Sequence, residues 1–262
     1  MNLKVMTMNL RVHTSYDGEN AWPNRIESAA DVFHTHQPLV AGTQEGLATM
    51  LSSLSEQLPD YAWIGHGRLG DHEDEHCAIF YRKDAVQLQD SGQFWLSETP
   101  EQQASVSWDS ACVRICTWAD FTLKEDPSVT FTFFNTHLDH VSQQAREQGA
   151  KLICQRMAQK RAAGAHTLIL TGDMNAEPTN AVIQFFRGAQ QIDGETTDLV
   201  DAYSASNEPV KHTFHGFHDE GVTIDYIFTT PNVTINNVKV DQEKHLGRLP
   251  SDHFPVIASL EL

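Results

Sequence analysis

The chain has 262 residues, and its 18 lysines and arginines against 35 aspartates and glutamates give a formal net charge of −17 with the histidines neutral. Hydrophobic residues make up 40% and charged residues 20% of the sequence, which excludes a disordered or fibrous protein. No apolar run is long enough to span a bilayer, and the acidic excess disfavours a long nucleic acid as partner, because proteins that bind one usually present a basic surface.

The first half of the chain predicts strands and helices in alternation. One helix is opened by Trp22 and Pro23, since proline suits the first turn, and a second carries an apolar stripe from Leu47 to Leu58. The predicted strands cover residues 3–10, 38–43, 61–65, 77–82 and 112–123.

The second half repeats this order. A long helix is predicted over 141–163 and a short one from Pro178. The predicted strands cover residues 129–136, 167–170, 223–228, 233–240 and 254–260. We therefore expect one domain over 1–262, of mixed α/β class, built from two similar halves, 1–128 and 129–262.

The four cysteines form no CxxC pair. Cys112 and Cys116 are four residues apart in a predicted strand, which separates their Cα atoms by about 13 Å, too far for a disulfide. The first residues also lack the apolar stretch of a secretory signal. We therefore expect reduced cysteines and a cytoplasmic protein.

Polar and acidic side chains gather where the apolar strands end. They are Asn9, Gln44, Glu45, the segment 135–140, Asp173, Asn175 and the segment 251–253. Asp225 lies inside the apolar run 224–228. A buried, unpaired carboxylate costs several kcal/mol, so Asp225 needs a partner. His253 is the candidate, because a carboxylate that orients an imidazole is a known catalytic arrangement.

These residue types suit hydrolysis of a phosphate ester. The reaction needs a hard cation such as Mg²⁺, which prefers carboxylate, amide and water oxygens. It also needs a group that positions and deprotonates a water, and neutral donors for the phosphoryl oxygens. The sequence shows no motif for a Ser or Cys nucleophile, and His137 and His140 do not form an HExxH zinc peptidase motif.

Six motifs in order also resemble those of the endonuclease/exonuclease/phosphatase superfamily, which includes DNase I-like nucleases and inositol phosphatases. They are Met8-Asn9-Leu10-Arg11, Thr43-Gln44-Glu45, the segment 135–140, Gly172-Asp173-Met174-Asn175, Ile224-Asp225-Tyr226 and the segment 251–255. Further segments, among them 17–20 and 94–100, are similar to a small bacterial branch of uncharacterised metal-dependent hydrolases.

The resemblance implies a four-layer α/β/β/α sandwich, in which two packed mixed β-sheets are flanked by helices and the site lies at one edge of the sheets. It implies that Glu45 is the principal Mg²⁺ ligand and that Asn9 beside it and Asp252 nearby complete the metal site. Mn²⁺ is expected to substitute for Mg²⁺.

The resemblance also assigns catalytic roles. Asp173 would orient or deprotonate the attacking water, and Asn175 would hold that water or a phosphoryl oxygen. His253, paired with Asp225, would contact the phosphoryl group or act as the base. His137 would contact the phosphate. Either Asp173 or His253 could remove the proton.

Three further residues are predicted to bind substrate. Arg114 either contacts the phosphate or forms a surface ion pair with Asp120, which shares its strand face. His140 and His215 either contact the substrate or support neighbouring residues.

The sequence thus predicts a monomeric, Mg²⁺-dependent phosphoesterase that acts on a small or exposed phosphate mono- or diester, with no membrane partner. A nuclease is the alternative, if five arginines form a basic track. They are Arg11, Arg25, Arg68, Arg82 and Arg114. The third possibility is a catalytically silent binding protein on the same scaffold.

Overall fold

Two six-stranded sheets form the centre of the protein. The computed structural model describes residues 2–206 and 209–262. Within them the strands are β1 (Asn2–Asn9), β2 (Val40–Gly46), β3 (Tyr61–Ile64), β4 (His76–Arg82), β5 (Val86–Trp95), β6 (Ile115–Leu123), β7 (Thr130–His137), β8 (Leu168–Asp173), β9 (Val200–Asp201), β10 (Asp225–Thr229), β11 (Thr234–Val240) and β12 (Val256–Glu261). The α-helices are α1 (Ile26–His36), α2 (Ala48–Gln57), α3 (Gln143–Ala162) and α4 (Ala181–Phe186).

Both sheets are mixed. The first has the order β11-β12-β1-β2-β4-β3 and the second the order β5-β6-β7-β8-β10-β9. Strands β1 and β2 are parallel, as are β7 and β8, and the other neighbours are antiparallel. This arrangement confirms the predicted sandwich of two packed sheets flanked by helices.

The two halves of the chain exchange their last strands. Strands β5 and β6 leave the first half to complete the second sheet, and β11 and β12 return from the second half to complete the first. The inner order β1-β2-β4-β3 matches β7-β8-β10-β9 in strand direction. Each sheet is therefore built from both halves.

Strand β1 shows how one sheet serves two cores. Val5 belongs to the large core that the two sheets share, which also holds Phe133 and Ile169. The next residue, Met6, points to the other face and joins the core with Phe33 of α1. Successive side chains of a strand alternate between faces, and both faces are covered here, which explains why this strand reads as largely apolar.

Some element boundaries differ from the sequence prediction. A 3₁₀ turn covers Trp22–Asn24 and α1 begins only at Ile26, so the predicted start at Trp22 is wrong. Strand β5 was not predicted, because this edge strand is largely polar and exposed and shows no hydrophobic alternation. In residues 2–206 and 209–262, every helix is too short or too polar to traverse a bilayer.

Candidate active site

The ends of four strands meet at one edge of the sandwich. Because β1 and β2 are parallel, Asn9 and Glu45 reach the same edge of the first sheet. In the second sheet, His137 at the end of β7 is paired with Asp173 at the end of β8. Asn9 joins the two sheets, since its Nδ2 donates to Glu45 Oε1 at 2.9 Å and to Asp173 Oδ2 at 3.0 Å.

A buried polar clamp below this edge holds the sheets together. Gln44 Nε2 donates to Asn135 Oδ1 at 2.7 Å, and Asn135 Nδ2 donates to the carbonyls of Thr43 and Ala78 at 2.9 and 3.0 Å. A Cβ at Gly42 would lie 2.4 Å from Asn135 Oδ1, so only glycine permits this approach of the sheets. Gln44 and Asn135, which the sequence placed among the polar strand ends, thus act in sheet packing.

Glu45 is held in a left-handed backbone conformation. Its φ is 62°, which is uncommon for a residue with a Cβ and is concentrated at functional sites. Its Oε2 accepts a hydrogen bond from the Val12 amide at 2.7 Å. The strained backbone and this amide together aim the carboxylate at Asn9 and Asp173.

Asp173 is the best-connected carboxylate of the site and is buried. Its Oδ1 accepts from the Asn175 amide at 2.9 Å, and its Oδ2 lies 3.3 Å from His137 Nε2 and 3.8 Å from His253 Nε2. Burial, together with repulsion by Asp225, raises the pKa of Asp173 to about 7. A carboxylate in this range is suited to accept a proton near neutral pH.

Asn175 follows Asp173 closely and is fixed by a backbone carbonyl. Its φ is 46°, and its Nδ2 donates to the Leu138 carbonyl at 2.9 Å. This bond orients the amide on the strand ends that also carry His137. The structure therefore brings Asn175 to the same site as Asp173.

His253 is paired with Asp225, as the sequence predicts. His253 Nδ1 lies 2.9 Å from Asp225 Oδ2, and Thr213 Oγ1 accepts from the Asp225 amide at 3.1 Å. Burial alone would lower the pKa of His253, but the charges of Asp225, Asp173 and Asp252 outweigh it and raise that pKa to about 10. The imidazole is therefore a cation at neutral pH, with Nε2 directed to the side of Asp173.

Two of the predicted metal ligands behave differently from Glu45. Asn9 Oδ1 accepts from the Arg11 amide at 2.8 Å, so the side chain turns its NH₂ group to the carboxylates and orients them. Asp252 lies with its Oδ2 3.7 Å from Arg11 Nε, and burial raises its pKa. Ligand atoms of Glu45, His137 and Asp173 lie within 4.8 Å of one another.

The donor chemistry of this group fits a divalent cation. Two carboxylates, Glu45 and Asp173, face the same gap, and Mg²⁺ and Mn²⁺ prefer such oxygen donors. The amide of Asn9, which donates to both carboxylates, reduces their mutual repulsion. A cation would fit between Glu45 and Asp173, with Asn9 as the residue that positions both.

Arg114 lies beside the site and is almost fully buried. Its Nη2 lies 3.1 Å from His140 Nδ1, and its Nε lies 3.8 Å from Asp139 Oδ2. Asp120 pairs instead with Lys160 at 2.7 Å. The predicted alternative of a surface ion pair between Arg114 and Asp120 is therefore wrong. The exposed His140 contacts Arg114, which places both at the rim of the site.

His215 supports the segment that carries two site residues. Its ring stacks on Phe254 with centroids 4.1 Å apart, and its Nδ1 accepts from the Phe217 amide at 3.1 Å. The His215 amide donates to the Asp252 carbonyl at 2.9 Å. Burial, and then repulsion by His253, lowers the pKa of His215 to about 4, so this ring is neutral.

Two residues of the cleft were not predicted as substrate-binding. Arg68 Nη1 donates to Glu75 Oε2 at 2.9 Å, and both side chains line the cleft beside Glu45. The sequence places Glu75 in an acidic run that is typical of a solvated loop. Its first residues, 71–73, are exposed, but the following residues fold back toward the site. Arg68 was considered only for a nucleic-acid track.

Arg25 is a further residue whose role the sequence did not reveal. It is 1% exposed and donates to the carbonyls of Leu10 at 2.9 Å, Pro250 at 2.7 Å and Arg11 at 3.1 Å. It therefore ties the chain after Asn9 to the chain before Asp252. A motif search cannot find such a role, because the partners are backbone atoms.

The arginines proposed as a basic track do not form a continuous surface. Arg25 is buried, and Arg11 is paired with Asp17 at 3.0 Å. Arg82 pairs with Asp84 on the end of β4 that lies beside the start of β2, away from Glu45. Arg11 and Arg82 are thus paired with acidic residues and Arg25 is buried, so the five arginines do not form one continuous basic track.

Known proteins are similar to this chain over nearly its whole length. The sequence matches the model of the Endonuclease/Exonuclease/phosphatase family over residues 6–253. An endonuclease/exonuclease/phosphatase from Bacteroides vulgatus is 33% identical, with a TM-score of 0.91 over 100% of this chain and 99% of that chain. The mannosyl-6-phosphatase Bt3783 from Bacteroides thetaiotaomicron is 32% identical, with a TM-score of 0.90 over 99% of this chain and 100% of that chain.

A human protein of lower sequence identity has a similar fold. The catalytic domain of human Nocturnin, solved with a bound sulfate anion, is 20% identical, with a TM-score of 0.75 over 99% of this chain and 93% of that chain, and this likeness shows the fold alone. No curated protein matches the chain. The family match confirms the resemblance seen in the motifs, and the fold agrees with it. The chain therefore belongs to the endonuclease/exonuclease/phosphatase family of hydrolases.

Proposed function

We propose that this protein is a Mg²⁺-dependent phosphoesterase that hydrolyses a small phosphate monoester, with water as the nucleophile. The observation that carries the proposal is the Asn9 bridge, which holds Glu45 and Asp173 from two sheets within hydrogen-bond distance of one amide. The cationic ring of His253 lies on the other side of Asp173. Together they offer an anionic gap for a metal beside a cation for a phosphoryl oxygen.

The metal site would be centred on Glu45. This carboxylate would hold Mg²⁺, with Mn²⁺ as a substitute, and Asn9 would keep its oxygen aimed at the ion, so that Asp173 stays free to accept a proton. When bound, such an ion supplies charge neutralisation for the phosphoryl oxygens and a lowered pKa for a water.

The proton roles follow from the charge states. Asp173, with a pKa near 7, accepts the proton of the attacking water, and Asn175 orients that water. His253 stays protonated against Asp225 and donates from Nε2 to a phosphoryl oxygen. His137 is buried, which holds its pKa well below the usual range, so its neutral ring serves as a further contact on the phosphate.

The charge of the surroundings and one similar protein support the substrate class. The cleft beside Glu45 presents Arg68 and Arg114, enough for one phosphate group, within a chain of net charge −17. The similar Bt3783 is a mannosyl-6-phosphatase, which supports a sugar phosphate. A nuclease is disfavoured by the dispersed arginines, and a silent binding protein by the complete set of catalytic side chains. The free cysteines support a reducing, cytoplasmic location.

A phosphate-release screen tests the proposal. The substrates are sugar phosphates, nucleotides, bis-p-nitrophenyl phosphate and oligonucleotides, each with Mg²⁺ and with EDTA. Release from a sugar phosphate should require the metal, and Asp173→Asn should lower kcat by about 100-fold or more, because it removes the base. Asp60→Asn, an exposed carboxylate elsewhere, is the matched control. Preferred cleavage of oligonucleotides, or wild-type rates for Asp173→Asn, would contradict the proposal.

A further inference from the structure

A second cluster of metal-ligating side chains lies outside the active site. His36 at the end of α1, Asp241 just after β11 and His245 in the following loop are each at least nine-tenths buried. His36 Nε2 lies 2.5 Å and His245 Nε2 3.0 Å from the same oxygen, Asp241 Oδ2. The ligand atoms of all three lie within 4.8 Å of one another.

The hydrogen bonding of His245 points to a cation between these groups. Its Nδ1 lies 2.9 Å from Asp31 Oδ2, while its Nε2 faces Asp241. Both ring nitrogens therefore face carboxylate oxygens. Either the ring carries two protons, or Nδ1–H donates to Asp31 and the Nε2 lone pair is directed at a metal. The second arrangement, with a carboxylate behind the histidine, is typical of metal-binding histidines.

The backbone at His245 is held in one geometry. His245 and Arg248 exchange backbone hydrogen bonds of 2.8 and 3.0 Å across a tight turn. Leu246 and Gly247 between them have φ values of 51° and 79°, and the left-handed conformation is costly for leucine. The Leu246 side chain is 65% exposed, so core packing does not compensate for this cost. Such strain is found where a site fixes its geometry.

We propose that His36, Asp241 and His245 bind one Zn²⁺ ion in a structural site. Two imidazole nitrogens and one carboxylate oxygen suit zinc rather than magnesium, which prefers oxygen ligands alone. Lys239 Nζ lies 2.9 Å from the other Asp241 oxygen, Oδ1, and leaves Oδ2 for the metal. Zinc in structural sites takes four ligands, so a water would complete the three that the protein supplies. All three residues are buried, so a substrate has no access to the ion.

The ion would connect three separate parts of the chain. It would link α1 to the end of β11 and to the loop that leads, through Pro250, to Asp252 and His253. The Asp241 amide already donates to the Pro255 carbonyl at 2.9 Å. The site therefore braces the last segment of the active site without sharing a residue with it.

Metal content measured on the full-length protein tests the proposal. The protein is dialysed against Zn²⁺ and then against buffer, and zinc is counted by mass spectrometry in the wild type and in Glu45→Ala. The second variant removes the proposed catalytic ligand, so a zinc ion that persists in it belongs elsewhere. We expect one retained ion in both proteins. Absence of stoichiometric zinc from both proteins, or its loss in Glu45→Ala alone, would overturn the proposal.

Substitutions within the cluster give the second arm. His36→Gln should lose the ion, whereas His34→Gln, at an exposed position on the same helix, should keep it. Asp31→Asn retains all three ligands and should weaken zinc affinity by about 10–100-fold, so it remains informative if His36→Gln fails to fold. Binding of Co²⁺, followed by its visible d–d absorption, should show the same order. Equal affinity in Asp31→Asn and the wild type would overturn the proposal.

Discussion

At the scale of single residues, the site is governed by charges that burial forces into contact. Asp173, Asp225 and Asp252 are buried close to one imidazole, and His253 therefore stays protonated well above the usual range of a histidine. The same burial favours the protonated form of Asp173. Both pKa values are raised, and they support the proposal that His253 acts as the acid and Asp173 as the base.

Asp225→Asn is expected to change the pH profile of catalysis. In the proposed mechanism His253 acts as a cation, so activity is lost as pH rises through its pKa, which Asp225 helps to raise to about 10. The amide removes that charge, so we expect the alkaline loss of kcat to move to lower pH and kcat at neutral pH to fall by about 100-fold. A pH–rate series measures both.

Asp60→Asn provides the control for that series, because its exposed side chain is remote from the histidine. An unshifted alkaline limb in Asp225→Asn would show that Asp225 does not set the charge of His253.

At the scale of elements, buried side chains fix the loops around the candidate site by accepting hydrogen bonds from the backbone of other segments or donating hydrogen bonds to it. Asp139 is the main example: its Oδ1 accepts from the amides of Val141 and Ser142 at the start of α3, and its Oδ2 accepts from Ser110 and the Ala111 amide. One carboxylate thus joins α3 to the segment that precedes Arg114 and β6.

Asp139→Asn is expected to alter stability with a defined pH dependence. Burial raises the pKa of Asp139, but the hydrogen bonds from Ser142, Val141 and Ser110 outweigh it, and the pKa is lowered from 3.8 in the folded protein. As pH falls, the carboxyl of Asp139 therefore binds a proton in the unfolded chain before it does so in the folded protein. The stability that the charged carboxylate contributes is present above the unfolded pKa and is lost as pH falls through the folded pKa. The variant should lose about 2 kcal/mol at pH 7.

Urea unfolding at several pH values measures this effect. Between pH 7 and pH 3 the difference between wild type and Asp139→Asn should shrink. A difference that stays constant over this range would contradict the role of the charged carboxylate.

Arg25→Lys tests the other connection between elements. Lysine cannot reach the carbonyls of Leu10, Pro250 and Arg11 together, because its ammonium is one point charge where the guanidinium is a planar fork. We expect a loss of about 3 kcal/mol in the free energy of unfolding and a lower kcat. Arg248→Lys, at an exposed arginine nearby, is the matched control. Unchanged stability of Arg25→Lys would contradict this role.

At the scale of the whole molecule, the distance between the two sheets decides whether the site exists. Glu45 comes from one sheet and Asp173 from the other, and they meet through Asn9 only because the sheets approach closely at Gly42. Strands β5 and β6 of the first half extend the second sheet, and β11 and β12 of the second half extend the first. Sheet packing and the geometry of the candidate site are therefore coupled.

Gly42→Ala is expected to disturb both. The added Cβ would lie 2.4 Å from Asn135 Oδ1 and Thr171 Oγ1, so the sheets must separate, which costs about 1–3 kcal/mol. We expect a lower midpoint of urea unfolding together with a lower kcat. Gly149→Ala in α3 is the matched control, since its Cβ would lie nearest to side-chain atoms, Leu96 Cδ1 at 3.3 Å and Leu138 Cδ2 at 3.6 Å. Equal stability of Gly42→Ala and wild type would show that the close approach is not required.

The sequence by itself determined much of the local structure and the identity of the candidate residues. Hydrophobic periodicity located most strands and helices, because burial of one face is a local pattern. The acid inside the run 224–228 required a buried partner, and His253 was found there. The polar edge strand β5 escaped prediction, since exposed strands carry no such pattern.

Only the tertiary structure decided how these residues act together. Asn9 and Asp173 are separated by 164 positions, and their contact depends on how two sheets pack. The role of Arg25 rests on backbone carbonyls of distant loops. The cluster of His36 and Asp241 joins a helix to a strand end. Side-chain types and periodicity are properties of neighbours along the chain, whereas distances, burial and charge states arise from the assembled layers.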